Sequence, residues 1–368
     1  MRILLAGGGT AGHINPAVAI AKYAQSVDKT TEILFIGKKG GMEARLVPSE
    51  GFDIHFADVE GLKRKLSFSN FVTAAKLVGA VGECLRVIKE FKPDVVVGTG
   101  GYVCAPAVIA ANIKKIPTLI HEQNVFPGSA IKMLSKKSTV TAISFEESKK
   151  YLQKAKNIVC TGNPVRPGIM QCDYNTARKK LGISNEKFIL AFGGSLGAKK
   201  INDVVIEYAK KINGKEGIRL CFATGMNNYD EVISCFENNG IKLEDNIEIV
   251  RYIDNMDLVM NAADLVVARA GAITISELCV LGKPSILVPS PNVTNNHQEY
   301  NARALADRDA SVMILEKDFN IDSMSSACER ILGDINYSGK MQSNASKLGT
   351  ADATELIYKE LVRISQSR

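Results

Sequence analysis

His13 is the one ionisable side chain in the loop Gly7-Gly8-Gly9-Thr10-Ala11-Gly12-His13, which follows an apolar run at residues 2–6. Imidazole is the side chain able to accept a proton near neutral pH, so His13 is a candidate general base. Beyond Pro16 the chain reads as a helix, with Asn15 beside the proline as a cap. A strand that breaks into glycines and re-enters as a helix points backbone N–H groups and a helix dipole into the turn, which suits an anion or a closely approaching ligand. The spacing is not that of a dinucleotide fold with its acidic partner, although Asp28 and Glu32 are near, nor of a phosphate loop, which needs Gly-Lys-Ser/Thr. Taken alone, a tight turn that packs a helix on a sheet explains the glycines equally well.

Three further clusters carry chemistry. His121-Glu122-Gln123-Asn124 closes an apolar run at 118–120 with four polar side chains, at the strand end where α/β proteins place binding groups; His121 reads as a supporting hydrogen bonder. Asn163-Pro164-Val165-Arg166 sets a guanidinium, with its fork of donors for phosphate, at a Gly- and Pro-marked junction; an exposed solubilising arginine is the plainer reading. In the second half, Gly193-Gly194-Ser195 repeats the glycine-turn device ahead of Lys199 and Lys200. There Arg269-Ala270-Gly271-Ala272-Ile273-Thr274-Ile275-Ser276-Glu277 leaves an apolar run through small residues into a helix, so amides can face a diphosphate. Glu277 is placed to meet a ribose diol, or else only to compensate the helix dipole. A loop at 289–301 adds Gln298 among amides and a carboxylate.

These residues need a frame. Apolar segments at 33–36, 54–57, 95–98, 118–121, 140–143 and 158–160 follow the first strand, with helical segments between them. The pattern then restarts at 188–192 and continues at 220–224, 247–252, 265–268, 285–288 and 312–315. Such alternation predicts α/β architecture: two doubly wound Rossmann-like domains of parallel strands covered by helices, sharing a cleft. The expected domains are 1–163 and 164–342, with a C-terminal helical stretch, 343–368, rejoining the first.

The chain has 368 residues and a net charge of +7, and the first 163 residues hold 22 Lys and Arg against 13 Asp and Glu, a balance of +9. A basic surface can face nucleic acid or an anionic membrane; no nucleic-acid signature is present, which leaves the membrane. Lys63, Arg64, Lys65 and Phe68, just ahead of an apolar helical segment, combine cations for lipid headgroups with an apolar side chain for the acyl boundary. No run approaches the roughly 20 apolar residues of a membrane span, and the N-terminus lacks the basic-then-apolar form of a signal sequence, so a cytoplasmic location is expected. Eight cysteines are scattered without a C-x-x-C pair and suggest neither zinc nor a disulfide framework.

Together GGGTAGHINPAVAIA (7–21), HEQN (121–124), GNPVR (162–166), GGSLGA (193–198), YIDNM (252–256), RAGAITISEL (269–278) and NHQEYNA (296–302), in this order and spacing, resemble the MurG family of peptidoglycan glycosyltransferases. The resemblance covers nearly all of the chain. It implies a GT-B fold and a peripheral enzyme at the cytoplasmic face of the bacterial membrane. The implied reaction is inverting transfer of GlcNAc from UDP-GlcNAc to the muramoyl 4-hydroxyl of the undecaprenyl-diphosphate-linked lipid I, giving lipid II, with no metal and no cofactor. The implied partners are UDP-GlcNAc, lipid I, the anionic membrane surface and other cell-wall synthesis enzymes.

By the same resemblance the donor would touch Thr10, Ala11, Gly12, Asn124, Arg166 and Ser195. Ile253 would meet uracil through its backbone, Ala272, Ile273, Thr274 and Glu277 the diphosphate and ribose, and Gln298 the sugar. His13 is the candidate base, with Glu122 to orient or replace it; a His13 that only binds the acceptor diphosphate or the loop is the plainer role. The family's first loop usually reads GGTGGH, and Ala11 stands here for a glycine, which requires a negative φ at that position. A GT-B enzyme for diacylglycerol or sterol, or a catalytically silent nucleotide-binding scaffold, are the alternatives.

Overall fold

The computed structural model describes residues 1–59 and 69–366, with residues 69–75 and 167 described by their backbone alone. The chain divides into two compact units, Met1–Val165 with Asp352–Arg368, and Arg166–Ala351.

In the first unit the strands are β1 (Arg2–Gly7), β2 (Glu32–Gly37), β3 (Ile54–Phe56), β4 (Val95–Gly100), β5 (Thr118–Glu122), β6 (Val140–Ile143) and β7 (Ile158–Cys160). They form one sheet in the order β3-β2-β1-β4-β5-β6-β7, and every pairing is parallel. Its helices are α1 (Ala11–Val27), α2 (Glu43–Ser49), α3 (Ser69–Phe91), α4 (Cys104–Ile113) and α5 (Ser129–Leu134). Strands buried on both faces read as continuous apolar runs, which is why Ile3, Leu4, Leu5, Val95, Val96 and Val97 are all fully buried.

In the second unit β8 (Lys187–Phe192), β9 (Ile218–Ala223), β10 (Ile247–Val250), β11 (Leu265–Ala268), β12 (Ser285–Leu287) and β13 (Val312–Met313) lie in the order β10-β9-β8-β11-β12-β13. All of these pairings are parallel too. Its helices are α6 (Tyr174–Lys180), α7 (Lys199–Ile212), α8 (Tyr229–Asn238), α9 (Met256–Ala262), α10 (Ala272–Leu281), α11 (His297–Ala306), α12 (Ile321–Gly333) and α13 (Ile335–Ser346). One helix of the second half belongs elsewhere: α14 (Ala353–Ser365) is in the first unit. Its Ile357, Leu361 and Ile364 stand on one helical face and are buried in the cluster built on Ile3, Leu5, Val95 and Val97.

The strand order reverses between β1 and β4 in the first unit and between β8 and β11 in the second. At such a switch point the helices on either side leave opposite faces of the sheet, and a crevice opens beyond the strand ends. Each glycine loop singled out by sequence lies at one of these points.

Candidate active site

In the first unit the helix after β1 begins about one turn earlier than the sequence predicts. Helix α1 starts at Ala11 with Thr10 as the N-cap residue, so Asn15 is not a cap and Pro16 lies inside the helix. Lacking an N–H, the proline leaves the carbonyl of Gly12 without its intrahelical partner, so α1 forgoes one bond beyond its first turn. His13 is therefore a first-turn residue, its amide donating to Thr10 O at 3.1 Å, rather than a residue of the glycine loop. Ala11 takes the helical conformation and is not among the positive-φ residues, so its extra methyl costs nothing.

Thr99 holds the His13 backbone and Gln123 its imidazole. The Thr99 hydroxyl donates to His13 O at 2.7 Å, and His13 Nδ1 lies 2.9 Å from Gln123 Oε1. Gly100 and Gly101 bring the end of β4 against the same ring. Both have positive φ; a Cβ at Gly100 would stand 2.7 Å from His13 Nδ1, and one at Gly101 2.2 Å from Gly8 O. Only glycine fits there.

The hydrogen bond to the His13 ring comes from Gln123, the neighbour of Glu122. Successive residues at a strand end point to opposite faces, so Gln123 shares its face with His121 and Glu122 does not. The Glu122 carboxylate takes the amides of Asn124 at 2.9 Å and Gly128 at 2.8 Å and the Asn124 side chain at 3.2 Å, shaping the turn after β5. Burial pushes its carboxyl up, and the two amides and the charge of nearby His13 oppose that shift. His121 is fully buried, its Nε2 3.0 Å from Gly162 O, and burial drives its pKa down to about 4, so it stays neutral. The supporting role read for it fits this geometry.

In the second unit Arg166 and Glu277, read separately as phosphate and ribose ligands, are joined. Arg166 Nε donates to Glu277 Oε1 at 2.6 Å and Nη2 to Oε2 at 3.2 Å. Glu277 is buried, and the desolvation that pushes its carboxyl up is opposed by this guanidinium. Helix α10, which carries Glu277, starts at Ala272 with Gly271 as its N-cap, so Ala272, Ile273 and Thr274 form the first turn and its positive dipole end. Arg269 is turned away from this edge, bonded to Val288 O at 3.1 Å and to Glu316.

Ser195 is exposed after β8, its carbonyl accepting the Met226 amide at 3.2 Å. Ile253 is buried beside a pocket of about 170 Å³ that Phe188, Arg219, Glu248 and Tyr252 also line. Gln298 Oε1 accepts the Ser290 amide at 2.9 Å and so ties the 289–292 loop to α11. Lys199 is paired with Asp203 and Glu231 at the surface. Thr10 and Gly12 are exposed at the start of α1, and Asn124 is half-buried beside Glu122. Lys63, Arg64, Lys65 and Phe68 lie outside the described residues.

Residues 3–143 match the glycosyltransferase family 28 N-terminal domain, and residues 188–357 match the glycosyltransferase family 28 C-terminal domain. The chain belongs to glycosyltransferase family 28. Within the family, a protein of Acetivibrio thermocellus named UDP-N-acetylglucosamine–N-acetylmuramyl-(pentapeptide) pyrophosphoryl-undecaprenol N-acetylglucosamine transferase is 48% identical over 369 residues, covering 100% of this chain and 99% of the relative. A protein of the same name from Caldanaerobacter subterraneus is 45% identical over 360 residues, 98% of each chain. The crystal structure of Acinetobacter baumannii MurG superposes with a TM-score of 0.77 at 26% identity, covering 98% of this chain and 99% of that one. The two Rossmann-like units are accordingly those of a GT-B family 28 enzyme.

Glu43 lies in none of the motifs read from the sequence. It opens α2, is fully buried, and accepts the amides of Gly9 at 3.1 Å and Lys38 at 3.0 Å. A lone glutamate at a helix start reads as dipole compensation; the signal that finds it is the set Gly8, Gly37 and Gly41, where a Cβ would stand 2.7, 2.8 and 2.5 Å from its side chain.

Proposed function

We infer that this chain transfers GlcNAc from UDP-GlcNAc to the muramoyl 4-hydroxyl of lipid I, with inversion, to make lipid II. It is a hexosyltransferase of peptidoglycan synthesis. One observation carries the reading: identity of 45–48% over 98–100% of the chain with relatives named for that transfer.

Assigning roles goes further. His13 acts as the base: its imidazole takes the proton of the acceptor hydroxyl as that oxygen attacks the anomeric carbon, and the bond from that carbon to the diphosphate oxygen breaks, UDP leaving with the electron pair. Burying charge on the departing diphosphate requires compensating dipoles or cations. The first turn of α10, at Ala272, Ile273 and Thr274, supplies the one and Arg166 the other. Glu277 serves the ribose diol, Ile253 the uracil, Gln298 the sugar, and Thr10, Ala11, Gly12, Asn124 and Ser195 complete the donor contacts. What supports these roles is that His13, Asn124, Ser195 and the first turn of α10 follow the carboxyl ends of β1, β5, β8 and β11, while Arg166, Ile253 and Gln298 come after β7, β10 and β12.

The acceptor's lipid puts the enzyme on the anionic cytoplasmic surface of the membrane. Among the described residues no helix is long and apolar enough to cross a bilayer. Supporting a surface contact, α3, α4 and α5 pack side by side and leave Val78, Ile113 and Met133 exposed, with Lys114, Lys115, Lys136 and Lys137 also exposed along them. Replacing Lys63, Arg64 and Lys65 with Ser should weaken flotation with anionic vesicles in a salt-sensitive way; flotation unchanged by the triple substitution moves the anchor elsewhere.

The deciding experiment is a matrix of donors, UDP-GlcNAc, UDP-Glc and UDP-Gal, against acceptors, a short-chain lipid I analogue, diacylglycerol and a sterol. Turnover is expected for UDP-GlcNAc with lipid I alone. Preference for diacylglycerol or sterol, or no turnover with any pair, overturns the reading.

A further inference from the structure

Four groups in the first unit form one unbroken line of hydrogen bonds: Gly162 O, the His121 ring, the Gln123 side chain and the His13 ring. The direction of each bond can be assigned. A carbonyl only accepts, so His121 Nε2, at 3.0 Å from Gly162 O, carries the proton and donates. A neutral imidazole then has a bare Nδ1, which must accept. Gln123 Nε2, 2.9 Å away, is the donor to it. The same nitrogen faces two more acceptors, Thr99 O at 2.9 Å and His121 O at 3.1 Å, so the amide cannot be turned round without setting an oxygen against lone pairs. Gln123 Oε1 therefore points at His13 and can only accept from it at 2.9 Å.

We propose that Gln123 is a positioning residue that locks His13 in the Nδ1–H tautomer, with His121 and the Gly162 carbonyl fixing the direction of the relay. The lock leaves the lone pair on Nε2, the nitrogen that would take the acceptor proton. A solvated neutral histidine favours the opposite tautomer, so the protein must impose this one, and which ring nitrogen is protonated follows from the bond the other makes. The parts are held for the purpose. Gln123 and His121 are both buried, Asn163 Nδ2 donates to Gln123 O at 3.0 Å, and Thr99 grips both the His13 carbonyl and the Gln123 amide. A neutral amide in place of a carboxylate orients the imidazole without stabilising its protonated form by a full charge. The kinetic part of the proposal rests on His13 being the base; the tautomer part does not.

The test uses the full-length protein labelled with ¹⁵N in its histidine rings, of which there are four. Long-range ¹H–¹⁵N correlation distinguishes Nδ1–H from Nε2–H. At neutral pH, His13 is expected as Nδ1–H and His121 as Nε2–H. Gln123→Met keeps the length and removes the polarity. It should turn His13 to the Nε2–H form and lower kcat at least tenfold while KM for UDP-GlcNAc stays within about twofold. A wild-type His13 protonated at Nε2 overturns the proposal without any variant needing to fold. A Gln123→Met protein with the tautomer switched and kcat intact upholds the lock and removes His13 as base.

Discussion

Arg166 and Glu277 hold one another through two parallel hydrogen bonds of 2.6 and 3.2 Å, and of the pair only the carboxylate is fully buried. The guanidinium is thus aimed by a partner rather than by the backbone turn on which it sits. Under the proposed roles each residue has two jobs, one toward its partner and one toward the donor. Glu277→Ala should raise KM for UDP-GlcNAc roughly tenfold or more and change kcat less, and adding Arg166→Ala should cost less than the sum of the two single effects. Steady-state kinetics of the double-mutant cycle check this; an unchanged KM in Glu277→Ala rules out the ribose role.

His13→Ala removes the proposed base but none of the proposed donor contacts. Turnover should fall by about two to four orders of magnitude, the usual worth of a positioned general base, while calorimetric binding of UDP-GlcNAc persists. Near-normal kcat would end the assignment. Gly100→Ala approaches the same ring from outside, because its methyl would stand 2.7 Å from His13 Nδ1 at a φ of +110°. It should depress kcat with donor affinity kept, and a crystal structure of that variant should find the imidazole displaced from Gln123.

Glu43 makes a separate prediction, about the scaffold. Its carboxylate joins the β1–α1 and β2–α2 connections through the amides of Gly9 and Lys38. Glu43→Gln sets an NH₂ against one of two N–H donors and should lower stability by about 1–3 kcal/mol. Urea unfolding measures it. A loss below a few tenths of a kcal/mol would mean that water replaces the carboxylate there.

The buried His121 links stability to pH. Its pKa is driven from 6.5 to about 4 by burial. Above about pH 6.5 the residue is neutral in both folded and unfolded chains and contributes nothing. As pH falls from there toward 4 the unfolded chain binds a proton the folded chain refuses, so stability is lost through that window, by up to about 3 kcal/mol once pH is below both values. Ring signals of His121 should stay unmoved between pH 8 and 5, and His121→Asn should flatten the acid limb of the stability curve. A titration midpoint near 6.5 for His121 would contradict its burial.

Much of this was legible in the chain. The two all-parallel sheets follow from apolar runs such as 95–97 and 265–267, continuous because both faces are covered, and the glycines at the first strand of each half mark the switch points. The start of α1 was not legible, because Pro16 announces a helix beginning while the first turn really forms on Thr10, a residue whose side chain makes no cap bond. Nor was the choice between Glu122 and Gln123. Chemical intuition favours the charged neighbour, and strand alternation, which decides it, needs the exact strand end. The Arg166–Glu277 pair was hidden by 111 residues of separation, and Glu43 by resembling any other glutamate at a helix start.

Helix α14 has a consequence for how the protein is made. Ribosomes emit residues 1–165 first, yet the surface that receives Ile357, Leu361 and Ile364 stays bare until nearly two hundred more residues have emerged. During translation the leading lobe must therefore wait, incompletely sealed, while the trailing one folds. A nascent chain stalled before codon 353 should recruit holdase chaperones through that naked strip, and an interruption late in the message would damage the lobe encoded at its beginning.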